Sequence, residues 1–82
     1  MWSIYILRCA DNSFYTGITN NLTRRVRQHN AWQSGSKYVR TRRPAVLIYK
    51  ETVSTRSDAL KREAKIKKLS HAEKERLCVG LH

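Results

Sequence analysis

Glu63 is a carboxylate set among apolar residues. In the stretch Ala59-Leu60-Lys61-Arg62-Glu63-Ala64-Lys65-Ile66, helical spacing puts Ala59, Leu60 and Ile66 on the buried side, with Glu63 between them. Burying an unpaired charge there is costly, so Glu63 needs a cation. Lys67, in the favourable Glu-before-Lys order at i+4, would make an ordinary surface pair. A divalent metal, which one carboxylate can hold together with waters and a phosphate, would make a reactive centre. No other acidic residue stands between Asp58 and Glu73. A second constellation lies in Asn21-Leu22-Thr23-Arg24-Arg25-Val26-Arg27-Gln28-His29. With Leu22 and Val26 centring the buried stripe, Arg25 and His29 are i, i+4 neighbours on its edge, while Arg24 and Arg27 point to solvent. Arg25 and His29 belong either to a solvated basic helix with a partly buried imidazole, or to a site shared with the sheet.

Lys37, Tyr38, Arg40, Arg42 and Arg43 form a basic run with one aromatic ring. Such a run suits a phosphate backbone and a stacked base, although Tyr38 could equally cap the core. The charge of the whole chain agrees: 17 Lys and Arg face 6 Asp and Glu, a net charge of +11 over 82 residues. The partners expected from such a potential are polyanions. Cys9 and Cys78 lie far apart and form no paired Cys and His motif, so free, buried thiols are expected rather than structural zinc. There is no apolar run long enough to span a membrane, and Met1-Trp2-Ser3-Ile4-Tyr5 lacks the features of a signal peptide. The expected compartment is the cytoplasm, with no membrane association.

The elements that must position these residues follow from the pattern. Residues 2–9 read as a central strand, apolar on both faces. Ala10-Asp11-Asn12 reads as a turn, and residues 13–18 as the returning strand. A two-residue loop would put Tyr5 and Tyr15 on opposite faces. A three-residue loop with Asn12 in the left-handed region pairs Tyr15 with Leu7 and Tyr5 with Gly17, so both rings share a face. The three-residue loop is predicted. A helix runs from about 22 to 33 under an Asn20 or Asn21 cap. A loop at Ser34-Gly35-Ser36-Lys37 and the basic run follow, then a third strand from Ala45 to near Val53. A helix capped by Ser54 or Thr55 reaches about Leu69. A last short helix starts in the capping box Ser70-His71-Ala72-Glu73 and ends at Gly80. Trp2 and Trp32 read as core or lid residues, and His71 and His82 carry no pattern. The expected fold is α+β, one domain over 1–82, with a small three-stranded, mainly antiparallel sheet flanked by three helices.

Ser3-Ile4-Tyr5 opens the first strand and Tyr15-Thr16-Gly17 lies in the returning one. The pair resembles the two tripeptides that name the GIY-YIG nuclease superfamily. The order hairpin, Arg- and His-bearing helix, strand, Glu-bearing helix is similar too. The chain resembles the stand-alone bacterial members, over roughly residues 3–69. Ser3 stands for the family's Gly and Thr16 for its Ile, and the Asn often found beyond the Glu has no counterpart after Asn30. The resemblance implies phosphodiester hydrolysis with one divalent ion, Mg2+ or Mn2+. It places Tyr5 or Tyr15 at the attacking water, Arg25 on the scissile phosphate, Glu63 on the metal, and His29 as a proton relay or a hydrogen-bond partner of a tyrosine. A phenol with a pKa of about 10 is a poor base at neutral pH, so that role needs positive charge nearby. The expected substrate is nucleic acid, DNA rather than RNA, probed best in branched or structured form. The other readings are a non-catalytic nucleic-acid-binding module that keeps the fold, and a small basic RNA-associated protein. Specificity would come from a homodimer or a partner protein.

Overall fold

A computed structural model describes residues 1–31 and 36–79. Strands β1 (Trp2–Arg8), β2 (Phe14–Thr19) and β3 (Val46–Val53) form one antiparallel sheet in the order β2-β1-β3. The strand that is apolar on both faces is therefore the central one. Side chains alternate across it. Ile4 and Ile6 face helices α3 (Arg56–Lys67) and α4 (His71–Val79), packing with Tyr49, Ala59, Ile66 and Cys78. Tyr5 and Leu7 face the other side, where they pack with Val39 of α2 (Lys37–Arg40) and with Leu22 and Val26 of α1 (Leu22–Asn30). The sheet thus carries a core on each face.

The hairpin has the predicted three-residue loop. Asn12 adopts φ 68°, its N–H bonds the Cys9 carbonyl at 2.9 Å, and the Cys9 N–H bonds the Ser13 carbonyl at 2.8 Å. The register pairs Leu7 with Tyr15 and Tyr5 with Gly17. Asn tolerates the left-handed region better than other side chains except Gly. Asn12→Val is expected to lower stability by about 1–2 kcal/mol, whereas Asn12→Gly should be close to neutral. Chemical denaturation of both variants measures the difference, and equal losses would mean that the turn does not depend on this conformation.

Several boundaries move. β1 stops at Arg8, and β2 spans Phe14–Thr19 instead of 13–18. The β1–β3 ladder slips between Ile6 and Leu7, which pair with Tyr49 and Leu47; Ile48 is the extra residue of a bulge. α1 ends at Asn30, three residues early, where Asn30 turns its side chain to Ala45, the residue before β3: Nδ2 donates to the Ala45 carbonyl and Oδ1 accepts from the Ala45 N–H, both at 2.8 Å. The basic run is not all loop. Residues 37–40 form α2, capped by the Ser36 hydroxyl, so four helices flank the sheet among the described residues. Val39, not Tyr38, fills the core. α3 is capped by Thr55 and ends at Lys67 instead of Leu69. Its Leu60 is exposed, against expectation, because Ala59 and Ile66 alone turn to the sheet. The Ser70–Glu73 capping box forms in both directions, at 3.0 and 3.2 Å. Both cysteines are free and buried. Trp2 packs against the core; Trp32, Gly80 and His82 lie outside the described residues.

Candidate active site

The site begins with Gly17. A Cβ there would lie 2.5 Å from the Tyr5 hydroxyl and 2.7 Å from Cζ. The Tyr5 ring therefore crosses the backbone of the edge strand at the one residue with no side chain, and Gly at the end of the second tripeptide is steric in origin. Tyr5 is only 1% exposed. Tyr15, two pleats away on the same face, is half-buried, its ring centroid 6.3 Å from that of Tyr5.

α1 supplies the next two groups. His29 is fully buried, with its Nε2 2.9 Å from the Tyr5 hydroxyl and its ring edge-on to Tyr15 at 5.0 Å. The Ser36 backbone N–H donates to Nδ1 at 3.2 Å. A neutral imidazole that accepts at Nδ1 carries its proton on Nε2. His29 therefore donates to the Tyr5 oxygen, and the phenolic hydrogen is left to donate elsewhere. Arg25 is half-buried on the same helix edge, with Nη1 3.3 Å from Gln28 Oε1, while Arg24 and Arg27 are exposed as predicted.

Burial dominates the electrostatics. It pushes Tyr5 up to about 12; the Arg25 guanidinium, hydrogen-bonding the phenolate form, pulls the other way, and the charges of Tyr15 and Glu63 add to the rise. His29 is pushed down to about 4, first by burial and then by the nearby Arg25 and Arg43 charges, so at neutral pH it is uncharged. This makes a prediction about stability. The unfolded chain binds a proton at His29 near pH 6.5 and the folded one does not until about pH 4. The contribution is thus fully present above pH 6.5 and is lost as the pH falls from 6.5 to 4, by at most ~3 kcal/mol. Urea unfolding across that window should show the slope in the wild type and lose most of it in His29→Gln. An equal slope in both would assign it to other groups.

Glu63 comes from the opposite side of the sheet. α3 packs along β2 on the face away from α1, yet the Glu63 charge is felt at Tyr5. Its side chain is 18% exposed and Lys67 Nζ lies 3.6 Å from Oε2, the ordinary partner foreseen at i+4. Tyr5, Tyr15, Arg25 and His29 thus meet on one face of the hairpin, whereas Glu63 lies across the sheet on α3 and is linked to them only through its charge at Tyr5. The basic run divides. Lys37 and Arg40 are exposed. Arg42 pairs with Asp11 at 3.1 Å and covers the Tyr38 ring at 3.9 Å. Arg43 donates from Nε to the His29 carbonyl at 2.6 Å, tying down the end of α1.

Gln28, Asn30 and Ser36 support the site without a signal of their own in the sequence. Gln28 lies at i+3 from Arg25, so only helical spacing from that residue points to it. Asn30 and Ser36 act through backbone groups distant in the chain or exposed only by the fold. Also unforeseen is His71, stacked on Phe14 at 4.1 Å and bonded to the Asn12 carbonyl at 2.9 Å. So is the cluster in which Tyr49 donates to Glu51 and Arg62 Nε meets Glu51 at 2.7 Å.

Comparison with known proteins agrees with this fold. Residues 1–76 match the family described as the GIY-YIG catalytic domain. A UPF0213 protein of Desulfotalea psychrophila is 50% identical over 76 residues, 93% of this chain and 69% of that protein. One of Natronomonas pharaonis is 49% identical over 74 residues, 90% of this chain and 86% of its own length. Among solved structures, the solution NMR structure of a UPF0213 protein of Bacillus halodurans is 38% identical with a TM-score of 0.60, covering 99% of this chain and 85% of that one. That of a protein from E. faecalis is 40% identical with a TM-score of 0.64, covering 98% and 84%. The chain belongs to the GIY-YIG family.

Proposed function

We propose that this protein is a metal-dependent endonuclease that hydrolyses phosphodiester bonds, in branched or structured DNA rather than RNA. The observation that carries the reading is the phenol of Tyr5, which accepts from the His29 N–H at 2.9 Å, with the Arg25 guanidinium near enough to oppose the effect of burial and the Glu63 carboxylate near enough to add to it. Arg25 partly offsets the rise that burial imposes on Tyr5, and positive charge beside a buried phenol suits proton handling at an attacking water.

The donor set fits a hard cation. No three His, Cys, Asp or Glu side chains converge among the described residues, so Glu63 would act as a single carboxylate. That is how Mg2+ is commonly held, with waters and substrate phosphate completing its shell; Mn2+ suits the same oxygen donors. When bound, the ion supplies positive charge for the phosphate oxygens and offsets the part of the Tyr5 rise that comes from Glu63. At neutral pH the phenol of Tyr5 is un-ionised, and its free hydrogen orients the water or a phosphate oxygen. Tyr15, more open to solvent, shares the water. Arg25 neutralises the charge that develops as the water oxygen bonds phosphorus and the bridging P–O bond breaks. The water proton passes to solvent along the tyrosine hydroxyls, and the departing oxygen is protonated from solvent. Exposed Lys37 and Arg40, with the net charge of +11, draw the strand in.

The complete burial of Tyr5 favours a second reading, a nucleic-acid-binding module without catalysis. Branched and linear DNA incubated with Mg2+, with Mn2+ and with chelator separates the two. The nuclease reading expects cleavage that chelator abolishes and that Glu63→Ala and Arg25→Ala lose. Binding without cleavage on every substrate would select the module, and equal cleavage by the variants would place the reaction elsewhere.

A further inference from the structure

The outer edge of β2 carries an open cleft that shares only Tyr15 with the chemistry above. Phe14, Tyr15, Thr16, Tyr38 and Lys67 line it, and its volume is ≈ 260 Å3. That is below the range of sites for drug-sized ligands, about 300–1,000 Å3, and suits a single planar ring system. One wall is aromatic. Tyr38, 39% exposed, stands beside Tyr15 with centroids 6.1 Å apart and planes inclined by 27°. Tyr38 is also held in place from behind. The Arg42 guanidinium lies 3.9 Å from its ring, donates to its carbonyl at 2.9 Å and is anchored by Asp11.

The floor is main chain. The Thr16 side chain alternates to the other face of the sheet with Ile6, its cross-strand partner, and is buried there. Cys9 and Ser13 share a ladder bond, and antiparallel pairs alternate, so Tyr15 turns its main-chain groups to β1. Phe14 and Thr16 turn theirs outward, donors and acceptors both, at the free edge that lines the cleft. At the mouth, the Lys67 side chain is 55% exposed and only loosely paired, at 3.6 Å, with Glu63.

We propose that this cleft is a base pocket. It receives one unpaired nucleobase of a bound strand against Tyr38 and Tyr15, with the polar edge of the base meeting the outward main-chain groups of Phe14 and Thr16, and with Lys67 on the adjoining phosphate. The pocket names the substrate class within the nucleic-acid reading on which it rests. A strand with an unpaired base near the reactive phosphate fills it, whereas an intact duplex must first unstack and unpair one.

The test uses the full chain in chelator, so that binding is read without cleavage. Three probes of equal length are compared: a duplex with one bulged 2-aminopurine, the same bulge made abasic, and the fully paired duplex. The base-bearing bulge is expected to bind about tenfold more tightly than the other two, in line with one base stacked on an aromatic side chain, and its fluorescence should fall on binding. Tyr38→Ala should bring the three affinities together, Tyr38→Phe should keep the preference, and Arg24→Ala should weaken all three alike. Tyr38 is exposed, so circular dichroism of Tyr38→Ala should match the wild type. A wild type that binds the abasic bulge as tightly as the intact one, or a Tyr38→Ala that keeps the preference, overturns the pocket. Tight binding without preference removes the pocket alone, whereas no binding to any probe removes the nucleic-acid reading with it.

Discussion

Glu63→Ala should reduce Mg2+-dependent cleavage by on the order of 10^2–10^3-fold or more, with almost no change in stability. The two halves of this expectation have separate causes. The one ionic contact of Glu63 among the described residues is Lys67 at 3.6 Å, with the lysine 55% exposed, and exposed pairs of this kind contribute about 0–1 kcal/mol. Removing the carboxylate therefore leaves the fold nearly as it was. The site, by contrast, has no second acidic group to take its place. Arg25→Ala should cost a similar factor by withdrawing the charge beside Tyr5, again without unfolding, since the bond Arg25 makes to Gln28 is local to the helix. Initial rates on a branched duplex, set beside melting temperatures, measure both. A large fall in melting temperature parallel to the fall in rate would mean that Glu63 is structural, which would sink its assignment to the metal.

Gly17→Ala should do the opposite and damage fold and site together. The added methyl would lie 2.5 Å from the Tyr5 hydroxyl and 2.7 Å from Cζ, so the ring must move. It has little freedom, being 1% exposed and backed by His29. Overpacking of this kind costs about 1–3 kcal/mol, and a displacement of order 1 Å at a reacting group can cost about 10^2-fold in rate. Adding Tyr5→Phe removes the atom nearest the methyl. The double variant should regain part of the stability and none of the rate, a non-additivity that reports contact between the two residues. If Gly17→Ala cleaves like the wild type, the position of the Tyr5 hydroxyl does not matter to the reaction.

The parts of this structure that were legible in the sequence are those governed by short-range rules. Period-two alternation identified β1 as the central strand, and Asp-Asn turn chemistry settled which faces Tyr5 and Tyr15 share. Capping residues marked three helix starts, at Asn20 or Asn21, at Ser54 or Thr55 and at Ser70, and the structure uses Asn21, Thr55 and Ser70. Helical spacing also separated Arg25 from Arg24 and Arg27. What escaped depends on groups that meet only after folding. A four-residue helix has no periodicity to read, so α2 resembled a loop. α1 was extended too far because the side chain of Asn30 prefers Ala45, fifteen residues on, to another turn of helix. Leu60 falls within the apolar stripe by helical spacing, yet α3 buries only Ala59 and Ile66 against the sheet. Nor could spacing reveal that α1 and α3 lie on opposite faces, with Glu63 across the sheet from Tyr5, Tyr15, Arg25 and His29. The tripeptides marked Tyr15 and Gly17 without saying why the last residue is Gly, and only the crossing Tyr5 ring answers that.

The hydrogen bond from the Ser36 main chain to His29 has a consequence for how this protein can be dissected. It chooses which imidazole nitrogen carries the proton, and through it the direction in which the Tyr5 hydroxyl donates. Yet it belongs to no side chain. Replacing residues one at a time by alanine would leave that N–H in place at every step and would score position 36 only for its part in capping α2. A determinant of the site's polarity is thus written in the path of the chain, where a side-chain scan is blind to it. A proline at 36, or an ester in place of that amide, is the kind of change that would bring it to light.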